Sequence, residues 1–201
     1  EVSGPQVLSI DLPFPKFPEG CPMKDQHTPV FYKDVSVLAV PYDEKKKISD
    51  VAQVKSLTPF FKNGKLEWNV PEGKWTILRF VCSNNGQRLI VPSPNSNGLF
   101  IDFFDPNATI RHLQYFMDRL GVTPENSSEA GLGYFEFDSM ELAEGTPWTD
   151  LFPSIFKERR GYDLERYLPV LAGWDISNCS DRFRYDFKET VSDQLIYSHY
   201  Q

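Results

Sequence analysis

Between Gly133 and Thr149 the chain reads GYFEFDSMELAEGTPWT, with Glu136, Asp138 and Glu141 inside six positions. Like charges packed closely repel, and a carboxylate taken out of water loses its hydration. Such a cluster serves a cation, a substrate or a proton transfer, or else its side chains simply point into water. Tyr134, Glu136 and Asp138 alternate with Phe135 and Phe137, and successive side chains of a strand point to opposite faces. The phenylalanines then pack under covering helices. The carboxylates face the other way, and Glu141 stands just beyond, in a loop. A second stretch, LFID, ends in Asp102. Paired carboxylates suit glycosidic bond cleavage, where one protonates the leaving oxygen and the other activates water or attacks the sugar. Trp148, after AEGTP, offers an apolar ring face to the C–H side of a sugar. The same carboxylates carry the hard oxygen donors that Ca2+ prefers. Each of these readings has a plain alternative. An acidic cluster after a strand also occurs as a solvated loop or helix cap. Trp148 also fits a core aromatic, and Asp102 an acceptor for nearby backbone amides.

The elements that would position these residues follow from pattern. VLSIDL, VSVLAV, KLEWNV and WTILRFV are short β-branched and aromatic runs, so the first ninety or so residues read as β structure. Asn63-Gly64 and Pro71–Gly73 carry turn chemistry, and the second predicts a hairpin between LEWNV and WTILRFV. After the loop PSPNSN the character changes, and GLFIDF reads as a strand. A helix follows, with Asp105 as N-cap, Pro106 in its first turn and Gly121 ending it. Ile110, Leu113, Phe116, Met117 and Leu120 share one face of that helix. GYFEFD is the next strand. Thr149 or Asp150 caps a helix that buries Phe152, Ile155 and Phe156 and ends at Gly161. A short helix starts at Asp163. The last helix runs from about Asp181, with Phe183, Phe187, Val191 and Leu195 spaced by four. Strand alternating with helix is the pattern of parallel βα units. The fold class expected is therefore α/β plus β: sandwich-type strands in residues 1–93, then βα units of a partial (β/α)8 barrel in residues 94–201. In such a barrel the strands' C-terminal ends line the active-site face, where Asp102 and Asp138 would stand.

Composition narrows the function classes. The 201 residues carry a net charge of −7 and no basic stripe, which argues against nucleic acid and anionic membranes as partners. No apolar run is long enough to span a bilayer. Cys21, Cys82 and Cys179 are far apart and form no CxxC motif. His27, His112 and His199 show no metal spacing, and no GxGxxG, P-loop or GxSxG motif is present. Sequons at Asn107, Asn126 and Asn178 do not fix a compartment. The opening Glu1 and the uncapped helical end, DQLIYSHYQ, read as an excerpt of a longer polypeptide, whose remainder is then a partner of this part.

The string FDSMELAEGTPWTDLFPSIFKERRGYDLERYLPVLAG resembles glycoside hydrolase family 106, the α-L-rhamnosidases. The matching residues are Asp138, Ser139, Glu141, Trp148, Thr149, Phe152, Phe156, Arg159, Arg160, Gly161, Tyr162, Asp163, Leu168, Pro169 and Gly173. LEWNVPEGKWTILRF and GLFIDFFDPNATIRHL also resemble family segments. Met140 departs from the common aromatic, and AEGTP from an Asn-rich spacer. The resemblance implies a large bacterial, multidomain enzyme with a (β/α)8 catalytic barrel, acting in the periplasm or outside the cell. It implies inverting hydrolysis of α-L-rhamnosides in a rhamnose-containing glycan, calcium at the site, and no organic cofactor. Carried over by motif, Glu141 is the general acid. Asp102, Glu136, Asp138 and Trp148 are the expected substrate contacts, and the catalytic base lies downstream of these residues. A general acid must hold its proton near working pH, and Asp138 and Glu136 beside Glu141 push in that direction. The 201 residues alone are then expected to be inactive. Two alternatives remain: a glycosidase of other sugar specificity, such as a β-galactosidase-like enzyme, and a non-catalytic carbohydrate-binding or scaffold protein on a hydrolase-like fold.

Overall fold

The computed structural model describes residues 1–16, 31–89, 93–96, 98–127, 129, 131–134, 142 and 145–200, with Tyr200 described by its backbone alone. Strands come first. They are β1 (Val2–Asp11), β2 (Tyr32–Pro41), β3 (Lys47–Ile48), β4 (Lys55–Ser56), β5 (Phe61–Lys62) and β6 (Lys65–Ser83). One antiparallel sheet has the order β1-β6-β2-β4, and β5 also pairs with β6. The strand β2 is central, and all of Ser36–Val40 is buried. Its alternation splits the apolar side chains between two cores. Val37 and Ala39 join Leu57, Leu66, Trp68, Val70 and Trp75 on one side, while Leu38 and Val40 join the helical residues on the other.

The hairpin expected at Pro71–Gly73 does not form. LEWNV and WTILRFV are the two ends of one 19-residue strand, β6. Its first part pairs with β1 and its second part with β2, on opposite edges. Offset partners supply ladder bonds on both sides of residues 71–72, so nothing requires a reversal. The PEG signal marks a bulge instead, because the register jumps between Gly4 and Gln6 opposite Val70–Gly73. Pro5 and Pro71 meet there, and neither has an N–H to leave unpaired. A Cβ on Gly4 would collide with the Pro71 carbonyl oxygen. The other turn signal does close a hairpin: Asn63 (φ 52°) and Gly64 (φ 84°) link β5 to β6 in the left-handed conformation that primed turns need.

The helical part contains α1 (Pro106–Leu120), α2 (Phe152–Arg160), α3 (Leu168–Leu171), the short strand β7 (Asp175–Ile176) and α4 (Ser180–Tyr200). Strands followed by helices agree with the α/β plus β class. The end signals of α1 act as expected: Asp105 accepts from the Asn107 N–H, Pro106 opens the helix, and Gly121 (φ 66°) closes it. Its apolar face is not packed away, however. Ile110 and Leu120 are 61% and 64% exposed. Periodicity identifies a face that favours burial but does not supply the surface that buries it. GLFIDF also differs from expectation. Leu99 makes a single antiparallel bridge to Arg88, and the chain then turns into α1 instead of continuing as a strand. The Asp102 carboxylate ends the extension by accepting from the Phe104 N–H at 2.9 Å, a local turn bond. GYFEFD lies outside the described residues except for Gly133 and Tyr134, which is 81% exposed.

Helices and sheet share a core. Phe152, Phe156, Leu164, Leu168, Trp174, Ile176, Phe183 and Phe187 form one cluster with Leu38, Val40, Ile48 and Val54. The β7 strand pairs in parallel with β3. The motif RRGYD locks α2 to α4. Arg160 donates to Thr190 Oγ1 at 2.8 Å and to Asp193 Oδ2 at 2.6 Å. Gly161 takes φ 80°, and the Tyr162 hydroxyl donates to Asp186 at 2.9 Å. A second polar junction joins the sheet to the turn before α3. Ser36 and Ser56 each donate to Glu165 Oε1 at 2.8 Å, and Thr58 donates to it at 3.2 Å. Three hydroxyls on one carboxylate oxygen are charge-assisted contacts. Glu165→Ala is expected to destabilise the chain by about 2 kcal/mol, read as a lower urea midpoint with an unchanged slope. An unaltered midpoint would mean that water replaces the carboxylate at no cost.

Candidate active site

The described part of the site is a corner of three successive residues just before α2, each held by a different element. Trp148 is half-buried and its ring lies 5.4 Å from that of Phe152, at the edge of the helical core. Thr149 is 4% exposed and donates its hydroxyl to Asp102 Oδ2 at 2.7 Å. Asp150 accepts from Lys33 Nζ, at the start of β2, at 2.9 Å. Neither Thr149 nor Asp150 caps the helix, contrary to the expectation from sequence. The N-cap is Leu151, with no side-chain cap bond, and Pro153 sits in the first turn. The capping oxygens are engaged elsewhere, which is why the helix starts without them.

Asp102 therefore has a protein donor on each oxygen, the Phe104 N–H and the Thr149 hydroxyl. Cys82, near the end of β6, stands in the same neighbourhood. Its thiol is pushed up to about 11, by burial first and then by the negative charges of Asp150 and Asp102, with Lys33 opposing. It stays protonated at neutral pH and is no nucleophile there. Two shallow depressions, lined by Val7, Phe60, Glu67, Trp68 and Asn69 and by Pro59, Phe60, Lys62, Lys65 and Glu67, hold none of the candidate residues.

The structure thus brings Asp102 and Trp148 to the same corner through Thr149. Glu136, Asp138 and Glu141 lie outside the described residues. So do His27 and Cys21. Among the described residues no group of three His, Cys, Asp or Glu side chains gathers where a metal ion would be held. The two acids at the corner take donors from Thr149, Phe104 and Lys33. The partnership of Asp102 with Thr149 was not legible in sequence. A contact between residues 47 apart leaves no local signature. The only hint was the WT pair within the family-like string.

The sequence model of the alpha-L-rhamnosidases, Glyco_hydro_106, matches residues 22–201. The chain belongs to glycoside hydrolase family 106. A curated relative from Formosa agariphila, named "Putative beta-glucuronidase", is 28% identical over 206 residues, covering 85% of this chain and 17% of its own length. A solved rhamnosidase from Novosphingobium sp. PP1Y superposes with a TM-score of 0.63 at 30% identity, covering 75% of this chain and 15% of that one. The chain thus spans about a sixth of the length of these two relatives. Among the described residues no helix is long and apolar enough to cross a membrane.

Proposed function

We propose that the complete protein hydrolyses α-L-rhamnosides with inversion, and that this part of it carries the general acid, Glu141. The observation that carries this reading is the family match across residues 22–201, supported by the similarity to a Novosphingobium rhamnosidase. The acid protonates the departing glycosidic oxygen, and a carboxylate elsewhere in the protein takes a proton from the attacking water. The sugar is held against Trp148, with Glu136 and Asp138 as polar contacts, at the mouth of a (β/α)8 barrel. The enzyme works in the periplasm or outside the cell on a rhamnose-containing glycan, without nucleic acid or membrane as partner. Calcium belongs to the reading only through the family resemblance, and no step above passes through it. The name of the Formosa agariphila relative favours a second reading, a glycosidase of another sugar.

Both readings are tested by one assay. The complete protein is offered an aryl α-L-rhamnoside and an aryl β-glucuronide, with and without EDTA. Rhamnose release is the expected result, and loss of activity in EDTA would add the metal. Glucuronic acid release would move the specificity to the second reading. Release of neither sugar, with glycan binding retained, would leave a binding or scaffold protein. The 201-residue chain alone is expected to be inactive, because the second carboxylate lies outside it.

A further inference from the structure

The Trp148 corner is the end of a longer polar chain. Asp193, on α4, holds Arg160 and lies 3.9 Å from Arg159. Arg159 donates to Gln194 Oε1 at 3.4 Å, and Gln194, 2% exposed, donates to the Phe104 carbonyl at 2.9 Å. The Phe104 N–H then donates to Asp102, and Thr149 donates to the other oxygen of Asp102. A run of hydrogen bonds therefore leads from α2 and α4 through the turn before α1 and back to the residue beside Trp148. Phe104 and Thr149 are buried, whereas Asp102 is exposed. An exposed carboxylate gains its usual hydration from water at no cost, so its two protein bonds order its neighbours more than they satisfy the carboxylate.

From this we infer that Asp102 is a positioning residue: it acts through Thr149 to fix the corner that presents Trp148, and it does not touch the substrate itself. The inference rests on the proposed glycosidase reading for its kinetic consequence only. Loosening the corner leaves substrate chemistry intact but spreads Trp148 over several orientations. Misplacement of this kind is read mainly in kcat, because productive alignment is lost while most binding contacts persist.

Four substitutions in the complete protein separate positioning from contact. Thr149→Val keeps the volume and removes the hydroxyl, and water can take its place on the exposed Asp102. It is expected to lower kcat about 10-fold and to leave KM little changed. Asp102→Ala is expected to do the same, and the double variant to be no worse than either alone. Thr149→Ser keeps the donor. Asp102→Asn keeps an acceptor for Phe104 and offers an amide to the Thr149 oxygen. Both are expected to retain most activity. If Thr149→Val is as active as the parent while folded Asp102→Asn is inactive, Asp102 meets the substrate and the inference is overturned. Amide hydrogen exchange at residues 145–150 gives a reading independent of turnover. It is expected to speed up in Thr149→Val and Asp102→Ala, but not in Thr149→Ser. Unchanged exchange in Thr149→Val and Asp102→Ala overturns the inference even if the parent acts on another sugar. Absence of rhamnoside hydrolysis by the parent overturns only the proposed function.

Discussion

Glu141→Gln in the complete protein is expected to lower kcat on an α-L-rhamnoside with a poor leaving group by about 100- to 10,000-fold. Gln is nearly isosteric with Glu and cannot supply a proton, so binding should persist and KM should move little. The loss must depend on the leaving group. A phenolate with electron-withdrawing substituents departs without protonation, so an activated aryl rhamnoside should lose far less. That contrast distinguishes a missing general acid from a damaged site, which would slow both substrates together. Equal rates for variant and parent on both substrates would remove Glu141 from the mechanism. The rising limb of inactivation with pH should disappear in the variant too, since that limb reports loss of the acid's proton.

The largest stability effect is expected from Phe156→Ala. Phe156 is fully buried, and its ring lies 5.0 Å from Tyr162, 5.8 Å from Phe183 and 6.5 Å from Phe152. Its removal leaves a hole between α2, α4 and the turn carrying Tyr162, where rings cannot collapse without leaving their packed orientations. The cost is about 3–5 kcal/mol, a large share of the 5–15 kcal/mol or so that separates a typical domain from its unfolded chain. Urea unfolding of the chain should show the midpoint falling sharply. Phe156→Leu should cost much less, because it keeps most of the volume. Similar costs for the two would mean that the site relaxes and that ring packing is not what holds α2 on α4.

The sequence marks these two residues differently. Phe156 belongs to a period that any buried helix face shows, while Glu141 stands out by type and spacing and takes a role only from family resemblance. RRGYD was the longest uninterrupted run of that resemblance, and its described contacts are architectural: Arg160 on α4, Gly161 closing α2, Tyr162 on Asp186. A motif can identify a family through residues whose described contacts hold one helix on another.

By itself the sequence determined the elements whose signals are local. Asp105, Pro106 and Gly121 bound α1, Asn63-Gly64 closes the β5–β6 hairpin, and Phe183 and Phe187 bury the inner face of α4. Backbone sterics and hydrogen bonds within a few residues set the helix bounds and the turn, and the four-residue period marks the α4 face that favours burial. Only the tertiary structure decided the rest. It ran KLEWNV and WTILRFV together, because two partners offset along β6 pair it on both sides of the bulge. It took Thr149 from the helix cap and gave its hydroxyl to Asp102, 47 residues away. It brought Ser36, Ser56 and Thr58 onto Glu165. In each case the deciding partner is distant along the chain, and its free energy exists only once the sheet and helices have packed.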